Sequence, residues 1–208
     1  MAHTLYVIGI GPGHPDYMVP RGKQIIDRVP ILVGSERALG DFAKASHETK
    51  AITGRLQETA RFIEDHLQTA DIAVLVSGDT GYYSLLPYLK KTFSHVPMEV
   101  VPGISSVTFA FARLGEAWQD ARLISFHGRL PKEEQLVYQA GQKLGCLTDK
   151  TYNAARIAQE LMGRGWPKTV KAVAFERLSY EDEHCQEGTL ADMVQWTGFT
   201  HAVVVILG

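Results

Sequence analysis

Three short glycine-containing loops hold the residues of this 208-residue sequence whose types and spacing could bind or transform a ligand. They read GPGHPD at 11–16, SGDTG at 77–81 and VPGISS at 101–106, and each follows a run of apolar residues. Glycine lets a ligand come close to the backbone, and parallel α/β sheets bind ligands at the carboxyl ends of their strands. The sequence therefore predicts a small-molecule site built from these three loops.

The first loop shares its glycine spacing with a dinucleotide-binding fingerprint but lacks the matching chemistry. That fingerprint is G-x-G-x-x-G, and its backbone N–H groups bind a pyrophosphate at the start of a helix. Here Pro12 has no N–H group to donate, and His14 occupies the position of the third glycine. Pro15 and Pro20 follow, so no helix begins directly after the glycines. The loop argues against a phosphate ligand and makes a nicotinamide-dependent oxidoreductase a remote alternative.

The second and third loops add one acid and two hydroxyls. Asp79 lies between Gly78 and Thr80, where its charge would repel phosphate and favour a cationic ligand. An aspartate in such a turn equally often accepts hydrogen bonds from its own backbone. Ser105 and Ser106 precede a predicted helix and could cap it instead of contacting a ligand. From the residues alone, both interpretations stay open for each loop.

The composition of the chain argues against several classes of partner and indicates a cellular compartment. The formal net charge is −2 and the basic residues are scattered, which argues against a nucleic-acid partner. Cys146 and Cys185 form no CxxC motif, so we expect buried, inert thiols and no metal centre. No apolar run approaches the roughly 20 residues of a spanning helix, and the amino terminus shows no export signal. We expect a cytoplasmic protein without a membrane partner.

Strands and helices alternate through the first half of the chain, which predicts α/β architecture with a parallel sheet. The second half predicts a mixed sheet, because an antiparallel pair lies within 170–190. The aperiodic segment EAWQD at 116–120 suggests two domains, 1–115 and 116–208. The predicted strands are 5–11, 31–34, 71–79, 98–103, 121–129, 146–149 and 201–208. The predicted helices are 21–29, 35–44, 55–68, 84–93, 105–115, 131–145, 153–165 and 190–196.

Five motifs occur in the order found in a known family. They read GIGPGHPD, SGDTGYYS, VPGISS, LTDKTYNAARIAQEL and AFERLSYEDEHCQEGTL, and they span nearly the whole chain. Together they resemble the tetrapyrrole (precorrin) methylases, the class III methyltransferases that bind S-adenosylmethionine between two α/β domains. The chain departs from the family pattern where His14 replaces an acid and where Thr80 replaces a proline.

Three segments resemble the branch of this family that methylates carbon 5 of a corrin precursor, of the cobalt-precorrin-7 or precorrin-6Y type, in cobalamin biosynthesis. They are SFHGR at 125–129, LTDKTYN at 147–153 and ERLSYEDE at 176–183. That branch also occurs as the amino-terminal half of a longer protein that methylates carbon 15 and decarboxylates. The resemblance implies a stand-alone C5 enzyme, a homodimer, with a separate C15-methylating decarboxylase as its functional partner.

The family offers other substrates, which remain alternatives here. They are another tetrapyrrole position, diphthine synthesis and ribose methylation of ribosomal RNA; the near-neutral charge argues weakly against RNA. A non-catalytic binding module is a further alternative, and no feature of the sequence favours it.

The resemblance also implies roles for individual residues. Methyl transfer from a sulfonium needs alignment and exclusion of water and not a protein nucleophile, so we expect at most a base, for which His14, Asp16 and His127 are candidates. A substrate rich in carboxylates predicts arginines in the groove that binds it, called the trough below. The cofactor would contact Pro12, Ser77, Gly78, Asp79, Tyr82, Ser105 and Ser106, with Thr148, Arg177 and Leu178 from the second domain; S-adenosylhomocysteine would be the product. The trough would include Gly11, Gly13, Arg37, Arg55 and Arg129.

Overall fold

A computed structural model describes residues 3–208, which form two compact units. The first unit ends at Ser105 and the second spans Ser106–Gly208. Each unit contains one five-stranded sheet with helices, so the predicted α/β class is confirmed. Among the described residues, no helix is both long enough and apolar enough to cross a membrane.

The sheet of the first unit is entirely parallel, as predicted, with the strand order β3-β2-β4-β1-β5. Strands β1, β2 and β4 are buried along their full length, which explains their continuous apolar runs. The strands are β1 (Leu5–Gly9), β2 (Ile31–Gly34), β3 (Glu48–Ala51), β4 (Ile72–Val76) and β5 (Met98–Val101). The helices are α1 (Pro20–Ile26), α2 (Glu36–Phe42), α3 (Leu56–His66) and α4 (Leu86–Thr92).

Strand β3 was not predicted from the sequence. Its residues read ETKA, and Glu48 and Thr49 are exposed at the edge of the sheet. An edge strand buries little side-chain surface, so the alternation of apolar and polar residues that identifies a strand is absent. Helix α3 was predicted correctly, because Ile63 and Leu67 at helical spacing are buried against the sheet.

The sheet of the second unit is mixed, as predicted, with the order β6-β7-β10-β8-β9. Strands β6 and β7 are parallel, and the other neighbouring pairs are antiparallel, including the pair β8–β9 within 170–190. The strands are β6 (Arg122–Ser125), β7 (Lys143–Leu147), β8 (Lys171–Glu176), β9 (His184–Thr189) and β10 (Ala202–Leu207). The helices are α5 (Ser106–Arg113), α6 (Glu133–Leu136), α7 (Ala154–Met162) and α8 (Leu190–Met193).

The helix predicted over 131–145 is wrong. Only one turn, α6, forms there, and the chain enters strand β7 at Lys143. Gly141 adopts φ 76°, a left-handed conformation that a continuous helix does not permit. The one turn is held in place because the Trp166 indole N–H donates to the Leu136 carbonyl over 2.7 Å. The apolar residues that suggested a long helix serve two separate elements.

Helix α5 packs within the second unit, so the division falls at Ser105/Ser106, earlier than the predicted boundary at 115/116. Gly145 of strand β7 lies directly under this helix, and a Cβ there would come within 2.9 Å of the Phe111 ring. The helix ends at Arg113, two residues before the predicted end, and Gly115 with φ 67° turns the chain there, where the Glu116 N–H donates to the Phe111 carbonyl over 3.0 Å. Helical spacing predicts the helix but does not reveal which sheet it covers.

The expectation of a buried thiol is confirmed for Cys146 and wrong for Cys185, and this difference gives a direct test of the second unit. Cys146 is fully buried in strand β7, and burial raises the pKa of its thiol. Cys185 is exposed on strand β9, and its thiol pKa is raised by partial desolvation and by Glu183 and Glu187. We expect an aromatic disulfide reagent to modify only Cys185 in the native protein, faster as pH rises, and both thiols in denaturant.

Absorbance of the released thiolate measures this labelling. Cys185→Ser is the matched variant, and it should release no thiolate until the protein unfolds. If native Cys185→Ser released thiolate as fast as the native wild-type protein does, then Cys146 would be accessible. That result would contradict the buried position of strand β7.

Candidate functional site

The three glycine loops meet at one edge of the first sheet. All five strands of that sheet run parallel, so their carboxyl ends lie on the same side. Strand β1 lies between β4 and β5, and each of these three strands leads directly into one of the loops. The loops at 11–16, 77–81 and 101–106, far apart in sequence, are therefore neighbours in space.

Backbone contacts between glycines hold the loops against one another. The Gly11 N–H donates to the Gly78 carbonyl over 3.2 Å, and the Gly78 N–H donates back to the Gly11 carbonyl over 2.9 Å. A Cβ at Gly9 would lie 2.6 Å from the Gly103 nitrogen, and a Cβ at Gly103 would overlap the Gly78 carbonyl oxygen. Only residues without a side chain allow this approach.

Asp79 ties the second loop to the third. Its Oδ1 accepts the Gly81 N–H over 2.8 Å, and its Oδ2 accepts the Gly103 N–H over 3.1 Å. The turn-forming interpretation of this aspartate is therefore correct, and the same side chain also joins two loops. Its carboxylate remains partly exposed at the edge of the sheet.

These contacts use the N–H groups that a phosphate-binding loop would present. The N–H groups of Gly11 and Gly78 are paired with each other's carbonyls, and those of Gly81 and Gly103 are donated to Asp79. A dinucleotide pyrophosphate needs such groups directed at the ligand. The loops instead present a carboxylate, which suits a ligand carrying positive charge.

His14, where the chain departs from the family pattern, has a local structural role. Its Nδ1 accepts the Asp16 N–H over 3.3 Å and lies 3.6 Å from the Asp16 carboxylate. This contact begins the short 3-10 turn Pro15–Tyr17, whose first residue is a proline. Gly11 adopts φ 81° just before the turn, where a Cβ would lie 2.9 Å from the Tyr17 carbonyl oxygen.

Two of the predicted arginines of the first unit also follow strands at this edge. Arg37 follows β2, and its guanidinium donates to the Ser77 hydroxyl over 3.0 Å and pairs with Asp41 over 3.3 Å. Arg55 follows β3, pairs with Glu58 over 3.1 Å, and has a side chain that is 80% exposed. The structure therefore brings Arg37 into contact with the second glycine loop, and it places Arg55 further along the edge, beyond β2.

The remaining predicted residues of these loops differ in exposure. Ser105 is buried, and Ser106 is the first residue of helix α5. Tyr82 is half-buried, and its ring meets that of Tyr83 edge-on at 4.8 Å between centroids. Tyr83 adopts φ 47°, which is unusual for a residue with a side chain. Pro12 is partly exposed and Gly13 is buried.

The predicted residues of the second unit also share one edge of their sheet. Strand β10 is antiparallel to both β7 and β8, and β6 is parallel to β7, so β6, β7 and β8 run in the same direction. His127 and Arg129 follow β6, Thr148 follows β7, and Arg177 and Leu178 follow β8. Topology therefore collects all five residues at the carboxyl ends of three strands.

Thr148 uses its side chain within the fold. Its hydroxyl accepts the Ala202 N–H over 2.7 Å and lies 3.3 Å from the Phe199 carbonyl oxygen. The Thr148 N–H donates to the Ala202 carbonyl over 3.1 Å. Both the hydroxyl and the N–H of Thr148 are therefore engaged within the fold.

The segment after β8 holds two residues in left-handed conformations. Arg177 has φ 51° and Ser179 has φ 75°, both uncommon for residues with side chains. The Arg177 guanidinium lies 4.8 Å from the Tyr180 ring centroid and pairs with Asp182, which lowers the pKa of that carboxyl. The Ser179 N–H donates to Glu183 over 2.6 Å. Backbone strain of this kind concentrates at ligand-binding segments.

Asp149 also lies at this edge and was not among the predicted site residues. It is 9% exposed, and its Oδ1 accepts the N–H groups of Thr151 and Tyr152 over 2.8 and 2.7 Å. Its Oδ2 accepts the Gly128 N–H from the loop that also carries His127. Bonds from the Tyr152 and Gly128 backbones hold the pKa of this carboxyl below its ordinary value. An aspartate between a strand and a helix was the available signal.

The fold and the site together define a class: a two-unit α/β protein with candidate ligand residues collected at the strand ends of each sheet. The sequence profile of the tetrapyrrole (corrin/porphyrin) methylases matches residues 4–194. The chain belongs to this family, which confirms the resemblance of its five motifs.

Named relatives lie within the same family. The probable cobalt-precorrin-7 C(5)-methyltransferase of Methanocaldococcus jannaschii is 30% identical over 186 residues, covering 86% of each chain. The cobalt-precorrin-7 C(5)-methyltransferase of Salmonella typhimurium is 30% identical over 179 residues, covering 86% of this chain and 87% of its own. The precorrin-4 C(11)-methyltransferase of Rhodococcus erythropolis is 30% identical over 230 residues, covering 99% and 90%.

Solved structures share the fold at lower identity. Precorrin-6Y methylase from Archaeoglobus fulgidus has a TM-score of 0.74 at 24% identity, covering 99% of this chain and 97% of its own. Uroporphyrin-III C-methyl transferase from Thermus thermophilus, complexed with S-adenosylhomocysteine, has a TM-score of 0.80 at 18% identity, covering 98% and 91%.

Proposed function

We propose that this protein transfers a methyl group from S-adenosylmethionine to carbon 5 of a corrin precursor in cobalamin biosynthesis. Two relatives that carry the C(5)-methyltransferase name match most of the chain at 30% identity. The substrate is a tetrapyrrole of the cobalt-precorrin-7 or precorrin-6Y type, and S-adenosylhomocysteine is the second product.

The arrangement of glycine N–H groups around Asp79 carries the proposal. Four N–H groups of the loops already donate hydrogen bonds within the protein, so they are not available to bind a pyrophosphate. A partly exposed carboxylate at the same place favours a ligand with positive charge, as the sulfonium and amino groups of S-adenosylmethionine provide. The donor set of the first unit therefore fits this cofactor better than it fits a dinucleotide.

The cofactor contacts that we propose are those that the family resemblance implies. When bound, the cofactor supplies a methyl group already activated by a positively charged sulfur. The first unit contributes Pro12, Ser77, Gly78, Asp79, Tyr82 and Ser105, and the second contributes Ser106, Thr148, Arg177 and Leu178. Thr148 acts through its carbonyl, because its hydroxyl and its N–H are bonded to the beginning of β10.

The chain's own contribution to the reaction is alignment and exclusion of water. A carbon of the macrocycle supplies the electron pair of the new bond, so the protein provides no nucleophile. Any proton released afterwards passes to His14, Asp16 or His127. Asp16 and His127 are exposed, whereas His14 is partly buried and already accepts the Asp16 N–H.

Cationic side chains would recognise the carboxylates of the macrocycle. A guanidinium donates two parallel hydrogen bonds to a carboxylate, which makes arginine the suitable residue. Arg37 is the best supported, because its contact with Ser77 places a substrate-binding cation beside a cofactor-binding loop. Arg55 and Arg129 complete the proposed set, with Gly11 and Gly13 forming part of the trough wall.

Another ring position is the second candidate. The precorrin-4 C(11)-methyltransferase of Rhodococcus erythropolis shares the same 30% identity over more residues. The segments SFHGR and ERLSYEDE favour carbon 5, because they resemble the C5 branch. We further propose a cytoplasmic homodimer that delivers its product to a separate C15-methylating decarboxylase and has no nucleic-acid or membrane partner.

Calorimetric titration tests the cofactor assignment. The purified protein should bind S-adenosylhomocysteine and should give no heat of binding with NAD. Binding of NAD without binding of S-adenosylhomocysteine would overturn the proposal and restore the oxidoreductase alternative.

A further inference from the structure

The loop that follows strand β6 is exposed and carries a histidine and an arginine. Residues 127–130, which read HGRL, are all exposed, and Leu130 is 37% exposed although it is apolar. Gly128 adopts φ 73°, and the Arg129 N–H reaches the Phe126 carbonyl over a long 3.4 Å. These local contacts alone would hold the backbone of the loop only weakly.

A buried carboxylate from the neighbouring loop fixes this segment. Asp149 follows strand β7, which pairs with β6, and its Oδ2 accepts the Gly128 N–H. Its other oxygen accepts the N–H groups of Thr151 and Tyr152, which anchors the carboxylate at the start of the segment leading into helix α7. The exposed loop is thereby attached to a rigid part of the fold.

Removing a carboxylate from water is unfavourable unless hydrogen bonds compensate. Here three backbone N–H groups do so, and they hold the pKa of Asp149 below its ordinary value. A group whose folded pKa is lowered contributes its stabilisation above its ordinary pKa of about 4 and loses it only as the pH falls through the lowered value. The attachment is therefore intact throughout the neutral range.

We infer that Asp149 is a positioning residue, which orients Arg129 toward a substrate carboxylate by holding the Gly128 N–H. The inference rests on the proposed function for the identity of the substrate. A guanidinium on a fixed backbone loses less conformational freedom on binding, so its affinity for a carboxylate is higher. Asp149 itself need not contact the substrate.

Asp149→Asn isolates this contact. An asparagine keeps one carbonyl oxygen, which still accepts the N–H groups of Thr151 and Tyr152. Its NH2 group would then face the Gly128 N–H, and two donors cannot bond. The variant therefore releases the exposed loop while it preserves the turn that leads into α7.

Hydrogen exchange measured by NMR provides a readout that needs no substrate. In Asp149→Asn the Gly128 amide should exchange at least tenfold faster, while those of Thr151 and Tyr152 stay within about twofold. Steady-state kinetics with the corrin precursor should show KM raised about tenfold, kcat changed less, and an unchanged Kd for S-adenosylhomocysteine.

A double-mutant cycle separates positioning from general destabilisation. If Asp149 acts through Arg129, then Arg129→Ala combined with Asp149→Asn should raise KM no more than Arg129→Ala alone. Asn153→Ala is the matched control, since Asn153 Oδ1 caps helix α7 by accepting the Arg156 N–H over 2.9 Å. This control should lower the unfolding temperature and leave both Gly128 exchange and KM unchanged.

The outcomes distinguish the two proposals. Unchanged Gly128 exchange in Asp149→Asn overturns the attachment, and additive effects on KM in the cycle overturn the action through Arg129. Faster exchange together with a wild-type protein that neither binds S-adenosylhomocysteine nor methylates the precursor overturns the proposed function, while the attachment of the loop stands.

Discussion

Replacement of Gly103 by alanine is expected to lower the free energy of unfolding by about 3 kcal/mol and to abolish binding of S-adenosylhomocysteine. A Cβ at this position would overlap the Gly78 carbonyl oxygen and lie 2.7 Å from the Gly9 carbonyl carbon. Both neighbours are backbone atoms, one in the loop after β4 and one at the end of β1, so they cannot rotate away as a side chain would. The three loops would have to separate at the place where they meet.

Thermal unfolding followed by circular dichroism measures the loss of stability, and calorimetry measures the loss of binding. Gly40→Ala is the matched control, because Gly40 lies in helix α2 with no heavy atom within 4 Å of the added Cβ. Alanine there should stabilise the protein by up to about 1 kcal/mol. Equal stability and equal affinity in the two variants would contradict the close packing of the loops.

Replacement of Asp79 by alanine is expected to raise the Kd for S-adenosylhomocysteine about tenfold to a hundredfold. The change removes a carboxylate that bonds two backbone N–H groups, each such bond contributing about 1.5–3 kcal/mol. It leaves the Gly81 and Gly103 N–H groups without their acceptor and frees the second loop from the third. Asp79→Asn keeps one carbonyl oxygen and should bind with intermediate affinity.

The control for this change is Asp71, which lies at the opposite end of strand β4 from Asp79. Asp71 precedes β4, and its carboxylate accepts the Thr4 N–H over 2.9 Å. Asp71→Ala should therefore lower stability without changing the calorimetric Kd. If Asp79→Ala and Asp71→Ala both bind S-adenosylhomocysteine within twofold of the wild type, then Asp79 does not shape the cofactor site.

Much of the fold could be predicted because burial leaves a strong signature in sequence. Strand β4, which reads IAVLV, is buried on both faces, and its composition alone places it inside a parallel sheet. Strand β3 was missed because an edge strand needs few apolar residues. The helix predicted over 131–145 was wrong because its apolar residues belong partly to α6 and partly to β7, and no local pattern reveals that division.

The site could be predicted only as far as loop composition allows. Glycines and Asp79 mark the loops of the first unit, but the sequence does not reveal that Gly103 meets Gly78 or that Asp79 bonds Gly103. Those contacts depend on β1 lying between β4 and β5. Asp149 escaped notice for the same reason, because its partner Gly128 lies 21 residues earlier and is brought near by the pairing of β6 with β7.

His14 shows how a departure from a family pattern can be read in structural terms. Where the family carries an acid, this chain places an imidazole whose Nδ1 accepts the Asp16 N–H and begins a turn. An acidic side chain can accept that hydrogen bond equally well. The substitution therefore preserves the geometry of the first loop while it removes a negative charge from the proposed trough wall.

The most direct test of the proposed function is the position of the transferred methyl group. The purified protein is incubated with S-adenosylmethionine that carries an isotope-labelled methyl group and with a corrin precursor unmethylated at carbon 5. The proposed function predicts a product that gains one labelled methyl group, which NMR locates on carbon 5. A product labelled at any other carbon, or an unmodified precursor in the presence of bound cofactor, would contradict it.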